Sequence, residues 1–191
     1  MKINGILIAL GAGLFFGVIG PLTKNAYNFG AGVGLAIFLR YLVALIIVSP
    51  IILKQKNLLH TYIANFKYFL LITVGSILLT IGLLLSVNYI NVSLAIVVFC
   101  TYPIIVLIIS IFINKEKILN SIKILFITTF FGLFLALSPN FENLNLLGVF
   151  FAFIASIGAS IMIVVNQTMS KKNLKPIQIN IFINFVNTIF F

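Results

Sequence analysis

The chain has 191 residues, of which 62% are hydrophobic and only 7% charged, with a mean hydropathy of +1.28. A soluble domain carries about 25% charged residues, so this composition cannot cover a water-facing surface, and a soluble globular protein is excluded. The net charge of +10 does not argue for nucleic acid, because lysines gather in the cytoplasmic loops of membrane proteins.

The single cysteine, Cys100, excludes an internal disulfide and a cysteine metal cluster. It reads as an apolar filler within a helix.

A membrane span needs about 20 mainly apolar residues. Seven stretches read as spans: 3–22, 34–53, 68–90, 93–113, 121–138, 147–166 and 177–191. The last is short and ends on Phe190-Phe191 without a polar flank, which suggests a fragment or a truncated gene. The expected fold is therefore all-α, a polytopic bundle of transmembrane helices.

The first stretch, GILIALGAGLFFGVIGPLTK, carries small residues every fourth position: Gly5, Ala9, Gly13 and Gly17. Lys2 precedes it, as in a signal peptide, but the apolar run is long and has no clear small-x-small cleavage site before Pro21. A second ladder lies 143 residues on, as Gly148, Ala152, Ser156 and Ser160. Four-residue spacing sets each ladder down one helix face, where backbones can approach closely in lipid. Small-xxx-small is common in membrane helices, so either ladder alone would mean little. The shared phase points to an internal repeat, with a first unit at 1–138 and the start of a second at 147–191. Gly13 and Gly17 are expected to face another helix.

The connections alternate in charge. Lys54, Lys56 and Lys67 lie between spans 2 and 3, the Lys115–Lys117 run and Lys123 between 4 and 5 or at the start of 5, and Lys171, Lys172 and Lys175 after 6. Placing the N-terminus in the cytoplasm puts ten lysines inside and only Lys24 outside. Five spans per unit is odd, so the second unit would be inverted. Inverted repeats commonly build alternating-access transporters, with the solute near mid-membrane.

Pro21, Pro50, Pro139 and Pro176 fall at or near span ends, where proline costs little. Pro103 falls in the middle of span 4 and should kink it by freeing the carbonyl of Phe99. The kink either sets shape alone or lines a pathway, with Thr101 and Tyr102 beside it.

Arg40 is the strongest single-residue signal. It lies six residues into span 2, about 9 Å deep at 1.5 Å per residue. A charge there is costly and faces protein or a water-filled cavity, unless its long stem snorkels to the headgroups. Lys24 approaches the same side from the end of span 1, where a solvated cap is the simpler reading. The two acids, Glu116 and Glu142, both fall between spans, which argues against a carboxylate relay and against a site for cations. His60, the sole histidine, falls in the 54–67 loop and reads as solvated. No paired carboxylates, nucleophile–histidine pair or metal cluster is present, so no cofactor or metal is implied. Gly30, Gly32 and Gly34 follow no strand and make no nucleotide cradle. Asn88, Asn166, Gln167, Asn180, Asn184 and Asn187 read as helix–helix hydrogen bonders, a subset of which would line a cavity. Tyr27, Tyr62, Tyr68 and Tyr89 fall near the interfaces, where amphipathic rings are favoured.

Spans 1–5 resemble one unit of the EamA-like family of the drug/metabolite transporter superfamily. The resemblance is carried by GLFFGVIGPLTK, by FLRYLVALIIVSP, and by LLLSVNYINVSLAIVVFCTYPIIVLIISIFINKEKI with its tight turn, mid-helix proline and basic-acidic-basic end. Residues 148–191 resemble the opening of a second unit. Phe15-Phe16 stands before Gly17 where the family often has tryptophan. The resemblance implies two inverted five-helix units around a central cavity, in a bacterial inner membrane, moving a small metabolite. Arg40 would then favour an anionic or zwitterionic solute, with Thr101, Tyr102, Asn166 and Lys24 as further site residues. The second unit is incomplete, so a homodimer or a missing second half would supply the rest. A non-transporting scaffold, or an inactive fragment dependent on a partner half, is the alternative. A lipid-modifying enzyme would need an acid, base or metal site within a span.

Overall fold

Apolar runs of this length leave the backbone no polar partner but itself in lipid, and the chain answers with helices. The computed structural model describes residues 2–52, 58–114, 120–138 and 144–191. These residues form α1 (Lys2–Asn28), α2 (Val33–Ile52), α3 (Leu58–Ala64), α4 (Phe66–Tyr89), α5 (Val92–Phe99), α6 (Tyr102–Asn114), α7 (Asn120–Leu137), α8 (Leu146–Lys171) and α9 (Pro176–Phe190). Among them are no strands, and five stretches are long and apolar enough to cross a membrane. The all-α polytopic expectation holds. Lys54, Lys56, Lys115, Glu116, Lys117, Pro139 and Glu142 lie outside the described residues.

Helix ends follow local chemistry. The Gly30 N–H donates to the Tyr27 carbonyl at 2.9 Å, and Ala31 N–H to Ala26 at 3.0 Å. That pair of bonds stops α1, and it requires the positive φ of 86° at Gly30, which glycine adopts freely. Asn173, at φ 58°, ends α8 by the same device, with Leu174 N–H on the Met169 carbonyl at 3.2 Å. Asn145 opens α8 by accepting from Leu147 N–H at 2.9 Å, and Pro176 opens α9 at its first turn.

Three elements differ from the sequence expectation. α1 runs on to Asn28, so Pro21 sits inside the helix rather than near its end. Pro21 has no N–H to give the Gly17 carbonyl, so one bond of the helix is missing there. Span 4 is two helices, with a break at Cys100 and Thr101. Pro103 cannot bond back to Phe99, and the helix restarts so that Ile104 N–H reaches Thr101 at 3.0 Å. The 54–67 connection holds the extra helix α3, where His60 is exposed as expected. α3 is fixed by Tyr62, whose hydroxyl donates to the Gln178 carbonyl at 3.1 Å and whose ring lies 4.9 Å from both Phe69 and Phe182.

The core lies between α4 and α8, with α2, α5, α6 and α9 around them. Glycines make the α4–α8 contact close. A Cβ on Gly82 would stand 2.6 Å from both the Ala155 nitrogen and the Phe151 oxygen, and one on Gly158 2.6 Å from the Gly75 oxygen. The second small-residue ladder is packed throughout: Ala152, Ser156 and Ser160 are fully buried, and Gly148 abuts Tyr89 and Ile90.

The first ladder behaves differently. Gly13 and Gly17 have nothing within 4 Å and, with Leu10 and Leu14, line an open apolar groove. The expected close approach of another helix is not found among the described residues. α1 meets its neighbours one turn later, where Gly20 abuts Val92 of α5. Accordingly, replacing Gly13 and Gly17 with leucine should not lower the unfolding temperature of the isolated chain in detergent by more than about 3 °C, about what 1 kcal/mol is worth at this chain length. A larger fall would show that another chain covers this face.

Candidate functional site

Five helices leave a gap beside the α4–α8 seam, α1 contributing Phe16. α2 contributes Arg40 and Tyr41, α4 contributes Ser76 and Thr80, α8 contributes Met162, and α9 contributes Asn180 and Asn184. The cavity they enclose has a volume of about 490 Å³. Its polar groups arise from regular spacing. Ser76 and Thr80 are four residues apart on α4, and Asn180 and Asn184 four apart on α9, so each pair occupies one helix face.

The hydroxyls are held in place. The Tyr41 hydroxyl and Thr80 Oγ1 share a hydrogen bond of 2.5 Å. Ser76 donates to the Thr73 carbonyl at 2.8 Å and accepts from Nδ2 of the wholly buried Asn187 at 2.8 Å. Such bonds fix side chains on the cavity wall without spending Arg40.

Arg40 is half-buried, with its guanidinium 5.8 Å from the Tyr41 ring centre. Both acidic side chains of the sequence, Glu116 and Glu142, lie outside the described residues. Arg40 lies on the cavity wall among the hydroxyls of Tyr41, Ser76 and Thr80 and the amides of Asn180 and Asn184.

The other sequence-chosen residues divide. Tyr102 and Asn166 line a second cavity of about 330 Å³, which shares Phe16, Leu79 and Met162 with the first. Thr101 lines neither; its hydroxyl bonds to the Val98 carbonyl at 2.8 Å and to Ser156 Oγ at 2.9 Å, tying the helix break to α8. Ser160 reinforces that tie by donating to the Tyr102 carbonyl at 3.0 Å. Pro103 stands beside this junction, where it lines a separate pocket against α7. Lys24 also lies outside both cavities and donates to the Val87 carbonyl at 2.8 Å, near the end of α4. That carbonyl belongs to the last turn of α4, where a cation is favoured.

Sequence reading missed Phe16, Tyr41, Ser76 and Thr80. In the sequence Phe16 stands out only as part of the Phe15-Phe16 pair before Gly17, and Tyr41 beside Arg40 does not stand out. The hydroxyls gave no signal because Ser and Thr satisfy themselves on their own helix in any span. A usable sign was present: Ser76 and Thr80 are four residues apart and so share one face of α4, beside the Gly75–Gly82 face that meets α8.

The EamA-like transporter family model matches residues 3–138. The chain belongs to the EamA-like transporter family. Among curated proteins and among solved structures, nothing matched. Family membership and the apolar helices together make it a multi-pass membrane protein of a transporter family, not of an enzyme family. The matched residues contain α1 to α7, so within this EamA-family chain Arg40 and Tyr41 come from the matched part, and Asn180 and Asn184 lie beyond it.

Proposed function

We propose that this EamA-family protein is a secondary transporter of a small anionic or zwitterionic metabolite. The observation that carries the reading is Arg40 in a cavity of about 490 Å³ between α2 and α4 on one side and α8 and α9 on the other. Those pairs belong to the first five-span unit and to the start of the second, the position expected of a solute site between inverted repeats. Movement would be by alternating access, with the N-terminus in the cytoplasm of a bacterial inner membrane, as the alternating lysines favour. Arg40 would bind the anionic group, Asn184 and Thr80 would hydrogen-bond it, and Tyr102 and Asn166 would line the adjoining space. The unburied groove on α1 favours one form of this reading, in which a further half or a second copy must cover α1 before transport occurs.

Cysteine accessibility tests the mechanism. In a Cys100→Ser background, Ala44→Cys on the cavity wall should react with a membrane-impermeant thiol reagent, at a rate that changes at least about threefold when an anionic solute is added. In the same background, Glu142→Cys should react in intact cells and Lys56→Cys should not. A cysteine at Ala44 that reacts at one fixed rate under every solute would sink alternating access; the reverse labelling at Glu142 and Lys56 would overturn the orientation.

A further inference from the structure

The two cavities differ in chemistry but share a wall. The first holds Arg40 with hydroxyls and amides. The second is lined by Phe99, Tyr102, Ala159 and Ile163, with Asn166 as its polar end. Phe16 of α1, with Leu79 and Met162, belongs to both. The Phe16 ring is 6.1 Å from that of Phe99, which is 5.2 Å from Tyr102, so the aromatic ring at the shared wall continues into the aromatic lining of the second space. Phe16 is 46% exposed and Ile163 41%, so neither is locked into the core.

We propose that the two spaces are the two ends of one solute site, and that its solute is a carboxylate monoanion with an apolar, ring-sized body. The proposal rests on the transport reading above and narrows it. The carboxylate sits with Arg40. The body passes Phe16 and lies against Phe99, Tyr102 and Ile163, where aromatic faces offer offset or edge contacts to a ring. An added ammonium group is disfavoured, because Arg40 repels it and the only acids, Glu116 and Glu142, fall in connections between spans. Phe16 is then the specificity-determining residue. It admits a flat or slender body past its ring and sets the size limit on what the second space accepts.

The test uses the full chain in proteoliposomes, with radiolabelled 3-phenylpropionate as probe and protein-free liposomes as blank. Acetate and phenylalanine serve as competitors. Burial of the phenyl body should make 3-phenylpropionate bind about tenfold or more tightly than acetate, and phenylalanine should compete less well than 3-phenylpropionate. Phe16→Trp and Ile163→Trp crowd the second space from two different helices, α1 and α8. Each should weaken 3-phenylpropionate about tenfold; acetate stays within about twofold for Ile163→Trp, which lines only the second space, and is weakened less than 3-phenylpropionate by Phe16→Trp, which lines both. Arg40→Gln should weaken both carboxylates. Size-exclusion profiles establish that each variant is folded, and the two tryptophan variants are independent of each other in this respect. If 3-phenylpropionate and acetate bind wild type equally, or the tryptophan variants weaken both alike, the two-ended site is wrong. Arg40 as the anion contact survives that result as long as Arg40→Gln still weakens both. If neither carboxylate binds, or Arg40→Gln changes neither, the transport reading at Arg40 falls as well.

Discussion

Gly158→Ala should lower the unfolding temperature of the purified protein by several degrees, and Gly158→Leu should leave little folded protein to purify. A Cβ at this position would collide with the Leu79 nitrogen and lie 2.6 Å from the Gly75 oxygen. Both obstacles are backbone, so no rotamer change relieves them; α4 and α8 must separate. Overpacking a well-packed core costs about 1–3 kcal/mol, and for a chain of this length each kcal/mol is worth about 2–4 °C. In lipid the loss is concentrated in packing, because apolar surface released to the bilayer has no hydrophobic drive to return. Gly132→Ala is the matched control. Nothing lies within 4 Å of a Cβ there, and alanine is favoured over glycine in a helix by about 1 kcal/mol. The two alanine variants should therefore move in opposite directions in a detergent melt. Similar shifts would mean that the α4–α8 contact is not the close one described.

The contrast between those glycines shows what a sequence can and cannot reveal. Spans were legible because apolar length alone decides them, and six of the seven expected spans are matched by single helices, within a few residues except where α1 and α8 run on by five or six. The break at Cys100 was only half legible. Pro103 announced a disturbance, but the restart of the helix depends on where its polar groups find partners, and those include α8, where Ser156 meets the Thr101 hydroxyl and Ser160 the Tyr102 carbonyl. α3 was hidden because seven residues are too short for a periodic signal; Tyr62 holds it through partners more than a hundred residues away. The ladders were legible as patterns and ambiguous as contacts. Small residues permit close approach without supplying the neighbour, so the ladder on α8 is packed while the one on α1 opens on a groove. For the site, Arg40 could be singled out because a charge inside a span demands a reason. Lys24 shared its charge but not its setting, and only the fold shows its ammonium on the Val87 carbonyl.

Arg40→Gln should preserve folding and weaken solute recognition by about ten- to a hundredfold. A charge within a membrane helix costs about 2.5–3.5 kcal/mol at the centre and less toward the interface. The chain retains it beside a cavity whose other polar groups, such as Thr80, Ser76 and Asn184, carry no charge. A charge-assisted hydrogen bond contributes about 1.5–3 kcal/mol, which converts to the stated loss in affinity. Glutamine keeps much of the length and two donors, so packing against Tyr41 should survive. Arg40→Lys should keep part of the affinity, because the charge remains but the planar fork that holds a carboxylate by two bonds does not. Lys24→Gln should leave affinity within about twofold, since it lies outside both cavities, and should lower only stability, through the bond at the end of α4. Binding and uptake of an anionic solute in proteoliposomes measure all three. A well-folded Arg40→Gln protein with wild-type affinity would reduce Arg40 to an anchor whose stem reaches the headgroups, because the cation would then have no solute to meet.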